Sequence, residues 1–303
     1  MTLESDLLLD RRRLKRQLGF WRGALILGLV LGGALYWGGK LPDALGGEHV
    51  ARLPISGTIS DDPKLLREIA RVSRDSQVRA VMVVIDSPGG TVAGGEGLYR
   101  ALRALREAGK PVVAVLGGTA ASAGYMVALP AERIFSREST LTGSIGVILQ
   151  SFEVSELLGR IGLRPETLTS GPLKDQPSPF RPLTEEGRAA LAAVVDDMYR
   201  QFLGMVVENR HMPEEQVRPL ADGRVMTGRQ ALAAGLVDAI GGEAEARGWL
   251  AATHGVAASL PVREIDPRSA TERVLSLASS TVWQGGIAAL RAEGWWPGAI
   301  LPR

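Results

Sequence analysis

The chain has 303 residues, 45% of them hydrophobic, enough to bury one sizeable core or two small ones. It holds no cysteine, which excludes disulfides, thiolate metal ligands and a cysteine nucleophile. Its 35 basic and 33 acidic residues leave a formal charge of +2, so the pI of about 9.1 reflects an arginine surplus partly gathered at one end.

That end carries Arg11, Arg12, Arg13, Lys15 and Arg16, followed by a run at 20–39 whose only charge is Arg22. Twenty helical residues span about 30 Å, the thickness of a bilayer core. The basic cluster lies directly against this apolar run, which points to membrane orientation rather than nucleic-acid binding. The positive-inside rule puts residues 1–19 in the cytoplasm and the chain beyond Lys40 on the far side of the membrane. Tyr36 and Trp37 occupy the place where a small-x-small cleavage site would end a signal peptide, so the run is expected to remain as an uncleaved anchor.

A linker at 40–50 leads into alternating strand and helix patterns. Strands are expected at 51–59, 78–85 and 111–116, and helices at 63–73 and 93–108. Leu65, Leu66, Ile69 and Val72 form the apolar stripe of the first helix. The run VRAVMVVI at 78–85 is nearly continuous and rich in β-branched residues, as a parallel strand buried on both faces requires. A long helix is predicted at 185–209, and smaller βα units at 224–250. The β–α order predicts an α/β domain with a parallel sheet, spanning 51–260. The tail at 261–303 carries an amphipathic stretch at 272–290 and the apolar end Trp295-Trp296-Pro297.

Four segments carry residues suited to chemistry. Asp86-Ser87-Pro88-Gly89-Gly90 follows a buried strand, and its paired glycines permit positive φ and a bare N–H near a ligand. Ser122 stands in Gly117-Gly118-Thr119-Ala120-Ala121-Ser122-Ala123-Gly124-Tyr125, at a strand-to-helix turn. There it serves either as a helix cap or as a nucleophile facing the positive helix end, with glycines and alanines leaving room for a substrate backbone. Leu141-Thr142-Gly143-Ser144-Ile145-Gly146-Val147 is small and polar ahead of an expected apolar strand. Lys174 lies in Ser170-Gly171-Pro172-Leu173-Lys174-Asp175, a proline-rich stretch expected to cross the surface over a cleft. It is one of only five lysines in an arginine-rich chain.

His49, His211 and His254 are the only histidines, and none lies in a glycine-rich strand-end segment, so a Ser-His-Asp triad has little support. No His, Asp and Glu cluster has metal-ligand spacing and no nucleotide fingerprint occurs, so neither metal nor cofactor is expected. A Ser-Lys pair remains: a neutral lysine takes the serine proton and returns it to the leaving amine, with Ser144 as the hydroxyl that orients the amine. Only arginine is barred from this role by its permanent charge, and lysine qualifies only when buried.

Taken in order, DSPGG, GTAASAGY, LTGSIGV, SGPLKD and the stretch GRVMTGRQALAAGLVDAIGG at 223–242 resemble the signal peptide peptidase A (SppA) family in its short, single-repeat bacterial form. That family lies within the Clp-protease/crotonase superfamily. The resemblance covers roughly 51–242 along with the anchor. It implies a repeated β-β-α superhelix, Ser122 as nucleophile, Lys174 as general base and Ser144 as the serine that coordinates it. It also implies oxyanion donors at the backbone N–H groups of Gly89 and Ala123. Alanine at 123 departs from the glycine common there in the family; it keeps the N–H but narrows backbone freedom. The implied function is degradation of remnant signal peptides on the extracytoplasmic side by a membrane-anchored homo-oligomer, with no cofactor and no nucleic acid. Competing readings are a stomatin-cleaving Ser-Lys protease, a crotonase-like acyl-CoA enzyme and a non-catalytic scaffold. The TGSIGV and SGPLKD segments, the anchor and the Ser122/Lys174 pair weigh against these.

Overall fold

The β-branched runs pair as buried parallel strands. In the computed structural model, residues 47–265 are described and, before them, only 21–23, 25 and 28. The rest of the expected anchor at 20–39, the basic tail at 1–19 and the chain from 266 onward lie outside the described residues. Among the described residues no helix is long and apolar enough to cross a membrane. The elements below all fall in one compact unit, Glu48–Pro267.

The first half of that unit is β1 (His49–Ser56), α1 (Pro63–Arg74), β2 (Val78–Ser87), α2 (Val92–Glu107) and β3 (Val112–Ala121). Each helix starts where a polar residue can satisfy the first free N–H groups. Asp62 accepts from Lys64 and Leu65, and Thr91 accepts from Gly94. β2 lies between β1 and β3, parallel to both. Its side chains alternate between two apolar layers, the two-residue period of a strand. Val81, Val83 and Ile85 join Leu53, Leu102 and Leu116 on one face, while Ala80 and Met82 join Val113, Phe135 and Leu250 on the other.

The chain continues through α3 (Ala123–Ala128), β4 (Arg133–Ser136), β5 (Leu141–Gly143), α4 (Ser155–Arg160) and α5 (Glu185–Arg210). Then come α6 (Glu214–Val217), β6 (Val225–Thr227), α7 (Gly228–Ala233), β7 (Ala239–Ile240), α8 (Glu243–His254) and β8 (Val262–Glu264). The sheet order is β6-β5-β3-β2-β1-β8, with β4 beside β3 and β7 beside β4. Every ladder is parallel except β5 with β6. This parallel-rich α/β sheet fits the expected Clp-protease-like architecture.

β3 is the hinge of the arrangement. Its residues 113–116 pair with β4 and its residues 119–121 pair with β5, so one strand has two successive neighbours along the same edge. The strand expected to stop at 116 therefore runs on to Ala121, through Gly117 and Gly118, where the neighbour changes. A second expectation is also corrected. The apolar strand expected after Ser144 does not form: the strand precedes the serine as β5, and 144–154 has no regular structure. Both edges of β5 are already taken by β3 and β6, so the Val147-Ile148-Leu149 run cannot pair with it.

Candidate active site

Ser122 joins the end of β3 to the start of α3 with φ 53° and ψ −121°. This is a backbone region that costs an L-residue about 1–3 kcal/mol and persists only where the surroundings impose it. Here the Ser122 N–H donates to the Gly143 carbonyl at 2.9 Å, and the Ser122 carbonyl accepts from the Met126 N–H at 3.0 Å. The hydroxyl does not cap α3 and donates to no described residue. The helix-cap use weighed for this serine is thus not the one adopted. Directly after it, the Ala123 N–H has no acceptor among the described residues and opens the helix.

All six residues of α3 are buried. Tyr125 anchors it: its hydroxyl donates to the Leu236 carbonyl at 2.7 Å, and complete burial pushes the phenol pKa far above its ordinary value. The Ser122 turn is therefore held between a sheet ladder on one side and a core helix on the other.

The Asp86–Gly90 segment packs against this turn. Gly89 has φ +115°, and a Cβ there would lie 2.9 Å from the Ser122 Cβ and 3.1 Å from the Ala121 carbonyl. Both the backbone conformation and the contact demand glycine. The Gly89 carbonyl accepts from the Ile59 N–H at 2.8 Å. Its N–H donates to the Ser87 Oγ at 3.1 Å, whereas the Gly90 N–H has no protein partner among the described residues. Ser87, fully buried, is a residue that the sequence reading quoted without assigning it a role. Its place two residues before the paired glycines was the available signal.

Ser144 comes next to the same point from β5. It follows Gly143, the acceptor of the Ser122 N–H, and takes φ 49°. Its own N–H donates to the Arg224 carbonyl at 2.8 Å. The Arg224 turn is fixed in turn by Asp222, which accepts from both the Arg224 backbone N–H at 3.0 Å and its guanidinium. That side-chain hydrogen bond holds the Asp222 carboxyl down at about 2. Ser122, Ser144, Gly89 and Ala123 are thus gathered around one strand end.

Lys174 is not bonded to them. It sits in a turn closed by its N–H donating to the Gly171 carbonyl at 3.2 Å, and it is exposed. Its ammonium makes no hydrogen bond or ion pair with a described residue. The neighbouring Asp175 pairs with Arg181 at 2.8 Å, and the Gln176 side chain accepts from the Thr184 N–H at 3.3 Å, which ties the loop to the start of α5. The burial that a lysine base requires is absent in the single chain.

Topology removes two of the three histidines from the site. His49 begins β1 opposite Val78, at the sheet edge away from the C-terminal ends where Ser122 lies. His254 pairs with Glu132 at 3.1 Å, and the Glu132 N–H bonds the Val112 carbonyl at that same far edge. His211 is the exposed, left-handed cap of α5. Among the described residues no group of three or more His, Asp and Glu side chains is arranged to hold a metal ion.

The pattern that defines peptidase family S49 matches residues 104–257. A provisionally named protease of Synechocystis sp. is 39% identical over 210 residues, covering 69% of this chain and 76% of that protein. A provisionally named signal peptide peptidase SppA of Enterococcus faecium is 31% identical over 214 residues, 66% of this chain and 62% of its own length. Protease 4 of Salmonella typhi is 34% identical over 219 residues, 72% of this chain but only 33% of that longer protein.

Proposed function

Because the chain belongs to peptidase family S49 and is a serine peptidase of the SppA type, we propose that Ser122 is its nucleophile and Lys174 its general base. The observation that carries the reading is the strained Ser122 turn, whose hydroxyl has no hydrogen bond among the described residues. In this scheme a neutral Lys174 amine removes the Ser122 Oγ proton as Oγ attacks the scissile carbonyl. The Ala123 N–H and the Gly89–Gly90 turn receive the negative charge that develops on oxygen. For that, the Gly89 N–H must exchange its Ser87 acceptor, while the Gly90 N–H has no partner among the described residues. The protonated lysine then gives its proton to the leaving amine, and water hydrolyses the acyl-serine by the reverse sequence. Ser144 orients the amine. No cofactor enters the scheme.

A lysine acts as a base only when desolvation strips its proton. The exposed surface around Lys174 supports a homo-oligomer as the source of that desolvation. Phe152 is 82% exposed and Leu168 93%, with Ile148, Ile161 and Leu163 also open. A second copy seated on this segment would cover these apolar side chains and the lysine together. The substrates we propose are remnant signal peptides and similar apolar peptides. The support is the name of the Enterococcus relative and the expected anchor at 20–39, which would hold the 51–260 domain on the extracytoplasmic face where such remnants leave the bilayer.

The test is labelling of the purified full-length protein with a serine-reactive fluorophosphonate, followed by mapping of the adduct. The adduct is expected on Ser122, and Lys174→Arg, which cannot supply a neutral amine, is expected to abolish both labelling and peptide hydrolysis. An adduct on another serine, or a fully active Lys174→Arg enzyme, would sink the assignment.

A further inference from the structure

Between Ile85 and Ser87 of β2 lies one residue, Asp86, while between their partners Leu116 and Ala120 of β3 lie Gly117, Gly118 and Thr119. Three residues against one make a two-residue bulge, immediately before the strand ends in Ser122. A bulge leaves ladder groups without backbone partners, and such groups are costly when shielded from water. Side chains bond to peptide groups inside this bulge and at Ala120, where pairing resumes. The Asp86 carboxylate accepts from the Thr119 N–H at 2.9 Å. The Thr140 hydroxyl donates to the Gly117 carbonyl at 2.6 Å and the Thr142 hydroxyl to the Ala120 carbonyl at 2.7 Å. Both threonines are buried, at 1% and 0% exposure.

The diglycine is the seat for this arrangement. A Cβ on Gly117 would come within 3.2 Å of the Asp86 Cβ, and one on Gly118 within 3.4 Å of its Oδ1. The small residue at 117, one of those the sequence suggested as room for a substrate backbone, makes room instead for the Asp86 side chain, whereas a Cβ at 118 would make only ordinary contact. Three hydrogen bonds, one from β2 and two from residues 140–142, then fix three peptide groups of the stretch leading into the Ser122 turn.

We propose that Asp86, Thr140 and Thr142 are positioning residues, which hold the β3 bulge and thereby set the backbone on which Ser122 is presented. The proposal rests on the reading of Ser122 as nucleophile. A misplacement of a reacting group by about 1 Å costs on the order of 100-fold in rate. Loss of one of the three bonds is therefore expected to lower kcat about 10-fold or more with KM unchanged.

The experiment measures kcat, KM and the rate of fluorophosphonate labelling per folded molecule for full-length Asp86→Ala, Asp86→Asn, Thr142→Val and Thr142→Ser, beside the wild type. Asp86→Ala and Thr142→Val should lose turnover and labelling. The Asn and Ser variants, which keep the acceptor or the hydroxyl, should restore most of both. Asp86 is exposed, so Asp86→Ala opens no cavity and carries the test even if Thr142→Val fails to fold. If the wild-type adduct maps to Ser122 but Asp86→Ala labels and turns over at the wild-type rate, the bulge proposal falls and the nucleophile stands. Asn and Ser variants as slow as Ala and Val would also overturn it, because the hydrogen bond would then not be the cause. A wild-type adduct elsewhere removes the nucleophile reading and this proposal together.

Discussion

The two halves of the proposed dyad sit in opposite physical settings. Ser122 is fixed by a ladder bond to Gly143, a core helix with every residue buried, and a glycine turn in contact with its Cβ. Lys174 stands on an exposed turn, and α4, the helix that precedes it in the chain, buries none of its residues. The proposed nucleophile is thus held by packing within one chain, whereas the proposed base has no such packing there. Strain at a residue such as Ser122 persists because packing around it is dense. A residue without that packing acquires its chemistry from whatever covers it.

The contrast can be broken in several places. Ser122→Ala is expected to reduce peptide hydrolysis by about four orders of magnitude or more without changing the circular dichroism spectrum; substantial residual turnover would move the nucleophile elsewhere. Gly89→Ala places a methyl 2.9 Å from the Ser122 Cβ at φ +115°. A loss of about 100-fold in kcat is expected together with about 1–3 kcal/mol of stability, read by turnover and urea titration. A normal enzyme would mean that the turn yields more freely than its contacts imply. On the other side, Leu168→Ser should leave the stability of the isolated chain within about 0.5 kcal/mol yet lower the assembled mass seen by sedimentation along with activity. An unchanged mass would argue against assembly through this segment. The smallest effect concerns acid. Asp222 is depressed on folding, chiefly by its hydrogen bond to Arg224, so its contribution is present above its ordinary value of 3.8 and is lost as pH falls toward about 2. Melting of the wild type and of Asp222→Asn should converge across that window; parallel curves would detach the Arg224 turn from Ser144.

Much of this was legible from residue order. The buried run at 78–85, the stripe of α1 and the strand expected from 111 follow from hydrophobic period alone, because each pattern is local. The gathering of Ser122, Ser144 and Gly89 came from motifs in sequence order, and the strand ends bring them together. The continuation of β3 to Ala121 was not legible, since glycines that read as a turn are here a bulge defined by its register against another strand. The Val147-Ile148-Leu149 run read as a strand because apolarity predicts burial but does not say whether a sheet edge remains to receive it. Nor could composition place Lys174 inside or outside, because its surroundings belong to a loop of prolines with no periodic pattern.

The fork at Gly117-Gly118 has a further consequence for how substitutions will be read. Residues 113–116 share their ladder with β4 and are buried in the two apolar layers, whereas residues 119–121 share theirs with β5 and lead to Ser122. A single strand therefore divides into a stretch whose alterations register as heat sensitivity and a stretch whose alterations register as slower chemistry. The two phenotypes meet at a pair of glycines. A collection of random variants sorted by melting temperature and by turnover should change class there, within two residues of sequence.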